Sequence, residues 1–218
     1  MNEIAFTWMS QIDSYREQVD FSFWSEPVNA ITNLAFVLAA LYVWPRTKGL
    51  LLARVLAVIL FLIGLGSFAF HTTATRWGEA ADVTPILAFI LTYVFAATRD
   101  FFGLGSWWAA LAAVLFVPFA VIVSPVFLHI GMGSSAAYAP VPVLIVIYAA
   151  LLRRRAPATA RGMVLGAAVL CISLGFRMLD APIYATVPMG THFMWHFLNS
   201  IMLAHMIAVY VRHMRRHA

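Results

Sequence analysis

Long apolar runs recur along the whole chain, and that recurrence decides what it can fold into. They cover residues 28–45, 51–71, 83–98, 105–127, 134–152, 162–179 and 191–211. A helix that crosses a bilayer needs about 20 mainly apolar residues, so seven spans joined by short connections use up the sequence. The predicted fold is therefore all-α, a single seven-helix transmembrane bundle over residues 1–218 with no separate soluble domain. Composition enters only to name the solvent. The chain is 63% hydrophobic and 11% charged, against roughly a quarter charged in soluble domains, so a protein core cannot hold all the apolar surface. The opening stretch "MNEIAFTWMSQIDSYREQ" carries acids and no basic region ahead of an apolar core, unlike a cleavable signal peptide. The single Cys171 lies inside an apolar run and permits no intrachain disulfide.

Basic residues set the expected orientation. With the N-terminus outside, the inner loops and tail hold Arg46, Lys48, Arg54, Arg99, Arg153, Arg154, Arg155, Arg161, Arg212, Arg215 and Arg216, and the outer side holds only Arg16, Arg76 and Arg177. This positive-inside bias predicts an extracytoplasmic N-terminus and a cytoplasmic C-terminus. Residues 1–27 then form an extracytoplasmic juxtamembrane segment, and 212–218 a basic cytoplasmic tail facing anionic lipid. The net charge of +5 is explained by orientation, and no nucleic-acid partner is implied. Acids go the other way. Of nine, only Asp100 falls inside, while Glu3, Asp13, Glu17, Asp20, Glu26, Glu79, Asp82 and Asp180 gather at the outer level.

On that topology polar residues converge. Ser67 and His71 share a face near the outer end of the second span, Asp82 opens the third, and His192 and His196 share a face in the first turns of the seventh. Such groups are expensive in hydrocarbon and by default mark a functional site. Three neutral imidazoles plus a water match the open arrangement of catalytic zinc, whose bound water has a pKa lowered to about 7. A nearby carboxylate can take that water's proton, and a hydroxyl can donate to a developing oxyanion. Each piece alone has a plainer reading. The His pair also describes two hydrogen-bonded core histidines, Ser67 in "GLGS" a small packing residue, and Asp82 an N-cap with Pro85 in the first turn. Arg177 and Asp180, three apart, are expected to pair, with a role at the site entrance or on a polar head group as the alternative. His205 reads as a helix-contact histidine, His213 and His217 as part of the basic tail. Trp24, Trp77 and Trp195 read as anchors at the outer interface and Trp44 at the inner.

The combination resembles the alkaline ceramidases, which share a superfamily of seven-helix membrane hydrolases with the adiponectin receptors. The resemblance is carried by "GLGSFAFH" with an aspartate eleven residues after the histidine, by "HFMWH" in the last span, and by "FWSEPVNAITNLAF" at 23–36. It implies zinc held by His71, His192 and His196, Asp82 deprotonating the attacking water, and Ser67 steadying the transition state. The implied reaction is hydrolysis of the N-acyl amide of a ceramide-like lipid to a fatty acid and a sphingoid base or similar amine, with the acyl chain in an apolar cavity of the bundle. It also implies calcium near the N-terminus, for which Asp13, Glu17 and Glu26 offer hard oxygen ligands. Arg16 stands among them, unfavourable unless it points away, and a solvated juxtamembrane segment is the alternative. A rival from another class is a seven-helix receptor or sensor with structural zinc. Haem is disfavoured because the well-placed histidines crowd one side, and a transporter because no pair of broken helices occupies corresponding halves. No protein partner is implied beyond membrane lipids and a long-chain lipid substrate. The expected location is a bacterial inner membrane, with the site near its extracytoplasmic side.

Overall fold

A computed structural model describes residues 7–15, 17–183 and 185–216. Arg16 and His217, which entered the sequence reading, and Glu3 lie outside the described residues. The described chain is helical with no strand, and seven stretches are long and apolar enough to cross a membrane: Pro27–Thr47, Leu51–Thr73, Arg76–Phe101, Ser106–His129, Gly133–Leu152, Pro157–Leu179 and His192–Arg216. The chain is thus a multi-pass integral membrane protein by architecture.

The first span is a broken helix. α1 (Pro27–Thr32) and α2 (Leu34–Val43) meet at Asn33, whose side-chain amide donates to the Asn29 carbonyl at 2.9 Å. Pro27 pre-sets the first turn, and α1 is capped from afar. The Glu17 carboxylate accepts the Val28 and Asn29 amides at 2.7 and 2.8 Å, satisfying donors that a helix start leaves orphaned.

α3 (Leu51–Thr73) and α4 (Arg76–Ala96) form a tight hairpin. Ala74 takes the left-handed conformation, φ 46°, and the Thr75 hydroxyl caps α4 by accepting the Gly78 amide. α4 therefore starts at Arg76, not at 83 as the apolar run suggests. Asp82 lies in its second turn and is not the N-cap. Residues 8–12 dock on this turn through the Ile12 amide to Ala74, the Arg76 amide to Ser10 and the Trp77 amide to Trp8.

α4 runs on through a π turn, Ala97–Phe101, before α5 (Ser106–His129), α6 (Pro140–Leu152), α7 (Pro157–Leu179) and α8 (His192–Arg216). α8 is the central element, 67% buried over its apolar window, and α5 is the most peripheral, at 6%. α8 carries histidines, an asparagine and a serine that would be costly against lipid, so the interior is where it belongs. α7 begins at Pro157, earlier than the run 162–179, because Pro157 occupies a first-turn position. Trp195 is buried in the bundle rather than at an interface. His213 is also buried, bonded to Thr159 at 2.9 Å rather than joining a solvated tail. His205 contacts the Gly162 carbonyl of α7 at 2.8 Å, the helix contact expected of it. The antiparallel order places the N-terminal segment, the α3–α4 turn and the start of α8 at one end of the bundle, and the predominantly basic connections at the other.

Candidate metal centre

Three histidines from two helices converge at the N-terminal end. His71 is in the last turn of α3, His192 opens α8, and His196 follows one turn later. All are at most 2% exposed, and one potential ligand atom from each lies within 4.8 Å of the other two. It is the one such cluster of three or more metal-ligating side chains among the described residues.

Their partners set which nitrogen is free. A neutral imidazole donates from one nitrogen and keeps a lone pair on the other. His71 Nδ1 stands 2.7 Å from Glu26 Oε2. The carboxylate accepts there, so the lone pair is on Nε2, which is buried with no hydrogen-bond partner. His196 Nδ1 is 2.8 Å from the Thr32 hydroxyl. That hydroxyl gives its own proton to the Val28 carbonyl at 2.8 Å, so it accepts from Nδ1–H and leaves Nε2 free to ligate. His192 is held through its backbone. Asp180 Oδ1 accepts the Thr191 and His192 amides at 2.7 and 2.9 Å, capping α8, while His192 Nδ1 is buried and unpartnered. Buried polar atoms are ordinarily paired. Two orphaned ring nitrogens in one cluster, with the His71 and His196 rings oriented by Glu26 and Thr32, form a donor set that could hold a metal ion.

Ser67 and Asp82 are brought together by a close helix approach. A Cβ built on Gly66 would stand 2.0 Å from the Ala81 carbonyl oxygen. Only a glycine lets the α4 backbone come this near, and the neighbouring residues, Ser67 and Asp82, then face each other with His71 in electrostatic reach of the carboxylate. Both line a cavity of about 80 Å³ whose walls are otherwise mainly apolar, including Phe89, Val94 and Leu170. From Asp82 to Val94 along α4 the lining descends about 18 Å at 1.5 Å per residue.

On the other side of the triad lies a polar cavity of about 380 Å³, lined by Asp13, Ser14, Tyr15, Ser134, Arg177, Asp180 and Ala181. The Tyr15 ring separates it from the histidines, stacked on His192 at 3.8 Å between centroids and 5.1 Å from His71. Burial pushes the Tyr15 hydroxyl well above its ordinary range.

The sequence-derived residues therefore divide. His71, His192, His196, Ser67 and Asp82 share one site. Asp13, Glu17 and Glu26 have separate surroundings: Asp13 lines the polar cavity, Glu17 caps α1, and Glu26 holds His71. The expected Arg177–Asp180 pair does not form, because Asp180 is engaged by the α8 amides and neither ion pair found among the described residues includes Arg177. Thr32 and Tyr15 were not singled out from sequence. The signal for Thr32 is a polar stripe in "EPVNAITN", Glu26, Asn29 and Thr32 at spacings of three, which is one helical face; Tyr15 carries no such signal.

Compared with models of known protein families the chain matches none, and no curated protein matches it in sequence.

Proposed function

We propose that the protein is a zinc-dependent membrane amidase that hydrolyses the N-acyl amide of a ceramide-like, long-chain lipid. The observation that carries this reading is the joint one: a buried three-histidine cluster with orphaned ring nitrogens, flanked by Ser67 and Asp82 at the head of an apolar cavity. Zinc bound there would supply a Lewis acid and lower the pKa of a water. The imidazoles of His71 and His196, oriented by Glu26 and Thr32, and that of His192 would hold it. Asp82 takes the proton of the attacking water and returns it to the departing nitrogen. Ser67 donates to the carbonyl oxygen as charge develops there. The apolar cavity holds the acyl chain and keeps bulk water away. The positive-inside distribution supports a site on the extracytoplasmic side of the membrane.

One observation favours the sensor reading with structural zinc: Tyr15 covers the triad from the polar side, and structural zinc sites are closed. The Ser67–Asp82 side instead faces a cavity with mainly apolar walls, which favours catalysis on an apolar substrate. The test is incubation of the purified protein with lipid extract and mass spectrometry of released fatty acid and amine, wild type against Asp82→Ala. Metal analysis is expected to give one zinc per chain in both. Equal release from both proteins would remove the catalytic reading.

A further inference from the structure

The amidase reading leaves Arg177 unused, and its surroundings are unusual. Its guanidinium lies in the polar cavity among three rings, 5.8 Å from the Tyr15 centroid, 5.2 Å from Tyr138 and 5.5 Å from Trp195. Such contacts attract a cation but accept none of its in-plane N–H groups. Two of those reach hydroxyls at long range, Ser134 at 3.2 Å and Tyr15 at 3.4 Å. Nε is buried with no partner. No carboxylate lies within ion-pair distance among the described residues.

Asp82 feels the Arg177 charge but does not form an ion pair with it, and the acids of the polar cavity do not fill that role. Asp180 has Oδ1 committed to two amides at the α8 start, and Asp13 is exposed at the mouth, where solvent screens it. A partly desolvated cation with an orphaned donor in a hydroxyl-rich cavity calls for an oxyanion. A guanidinium fork matches carboxylate or phosphate, and the Ser14, Ser134 and Tyr15 hydroxyls add donors around it.

We propose that this cavity is the head-group site of the substrate and that Arg177 binds a carboxylate or phosphate carried there. The inference rests on the lipid-amidase reading and narrows it, from neutral ceramide-like lipids to N-acyl lipids with an anionic head. The layout gives the head a place on the polar side of the triad and the tail a place on the apolar side. Tyr15 spans the two, its ring on His192 and its hydroxyl on Arg177. The anion therefore sits one phenol ring from the metal centre, within reach of an amide only a few bonds away.

The test uses the zinc-loaded full chain in neutral detergent. Binding of decanoylglycine and decyl phosphate is measured against the neutral decanoylethanolamide, with inorganic phosphate as competitor. Wild type is expected to bind the two anionic probes roughly 10- to 150-fold more tightly, the range of hydrogen bonds to charged groups. Arg177→Gln should abolish the gap. Arg177→Lys, which keeps the charge without the fork, should keep only part of it, and zinc content verifies that each variant is folded. No gap in wild type, or an undiminished gap in both variants, overturns the proposal. Inorganic phosphate binding as tightly as decyl phosphate, in an Arg177-dependent way, overturns the head-group assignment in favour of a free anion. Decanoate release is followed in parallel. An Arg177-dependent gap without hydrolysis of either amide would sink the amidase reading and leave the anion site standing.

Discussion

Gly66→Ala tests whether helix approach is what places Asp82. A Cβ at position 66 would lie 2.0 Å from the Ala81 carbonyl oxygen, 2.7 Å from its carbon and 3.3 Å from the Asp82 amide nitrogen. All three are backbone atoms, so no side chain can swing aside. Cβ contacts essentially never fall below 3.0 Å, so α4 must retreat from α3 by about 1 Å. Overpacking of this kind costs roughly 1–3 kcal/mol. The retreat moves Asp82 relative to Ser67 and His71 but leaves the imidazoles alone, since they sit on α3 and α8. A displacement of about 1 Å at a reacting centre can reduce rate about 100-fold. The expected result is a lower unfolding temperature, a full zinc complement and about 100-fold slower amide hydrolysis. A variant with wild-type stability and turnover would refute the argument that this contact sets the Ser67–Asp82 geometry. Zinc loss alongside activity would show instead that the hairpin governs the imidazoles.

Three further changes probe the supports. Glu26→Gln removes the carboxylate that orients His71 and should weaken zinc binding roughly 10- to 100-fold, measured by competition with a chromophoric chelator; unchanged affinity would dissociate Glu26 from the centre. Asp180→Ala strips the α8 cap, costing about 1 kcal/mol of stability and lowering zinc affinity through His192; a thermal scan and metal titration check both. Burial holds the Glu17 carboxyl above its ordinary value of 4.5, against the pull of the Asn29 and Val28 amides. A raised folded-state pKa stabilises the fold fully below 4.5, and that contribution is lost as pH rises through the folded value. Glu17→Gln should flatten this decline in thermal scans of chelator-treated protein from acid to neutral pH.

Much of this centre is legible in the amino-acid order because membranes simplify the problem. Apolar length gives the spans, and helical spacing puts Ser67 with His71 and His192 with His196. What stays hidden is set by contacts between distant parts of the chain. Glu26 reads as a calcium ligand or part of a solvated segment until it is seen against His71, 45 residues on. Thr32 meets His196 across 164 residues. The start of α4 is missed because a polar first turn, "RWGE", interrupts the apolar run while its cap, Thr75, works through a hydroxyl that periodicity does not register. Arg177 and Asp180 look like partners by spacing alone, yet the α8 amides outcompete the guanidinium for the carboxylate.

The placement of the three imidazoles bears on how the protein is made. His71 is synthesised in the second span, whereas His192 and His196 arrive only with the seventh. A nascent chain halted after six spans holds a single member of the trio and no means of gripping an ion. A metal ion held by all three would thus be a readout of completed insertion, and a chain stalled in biogenesis would lack it.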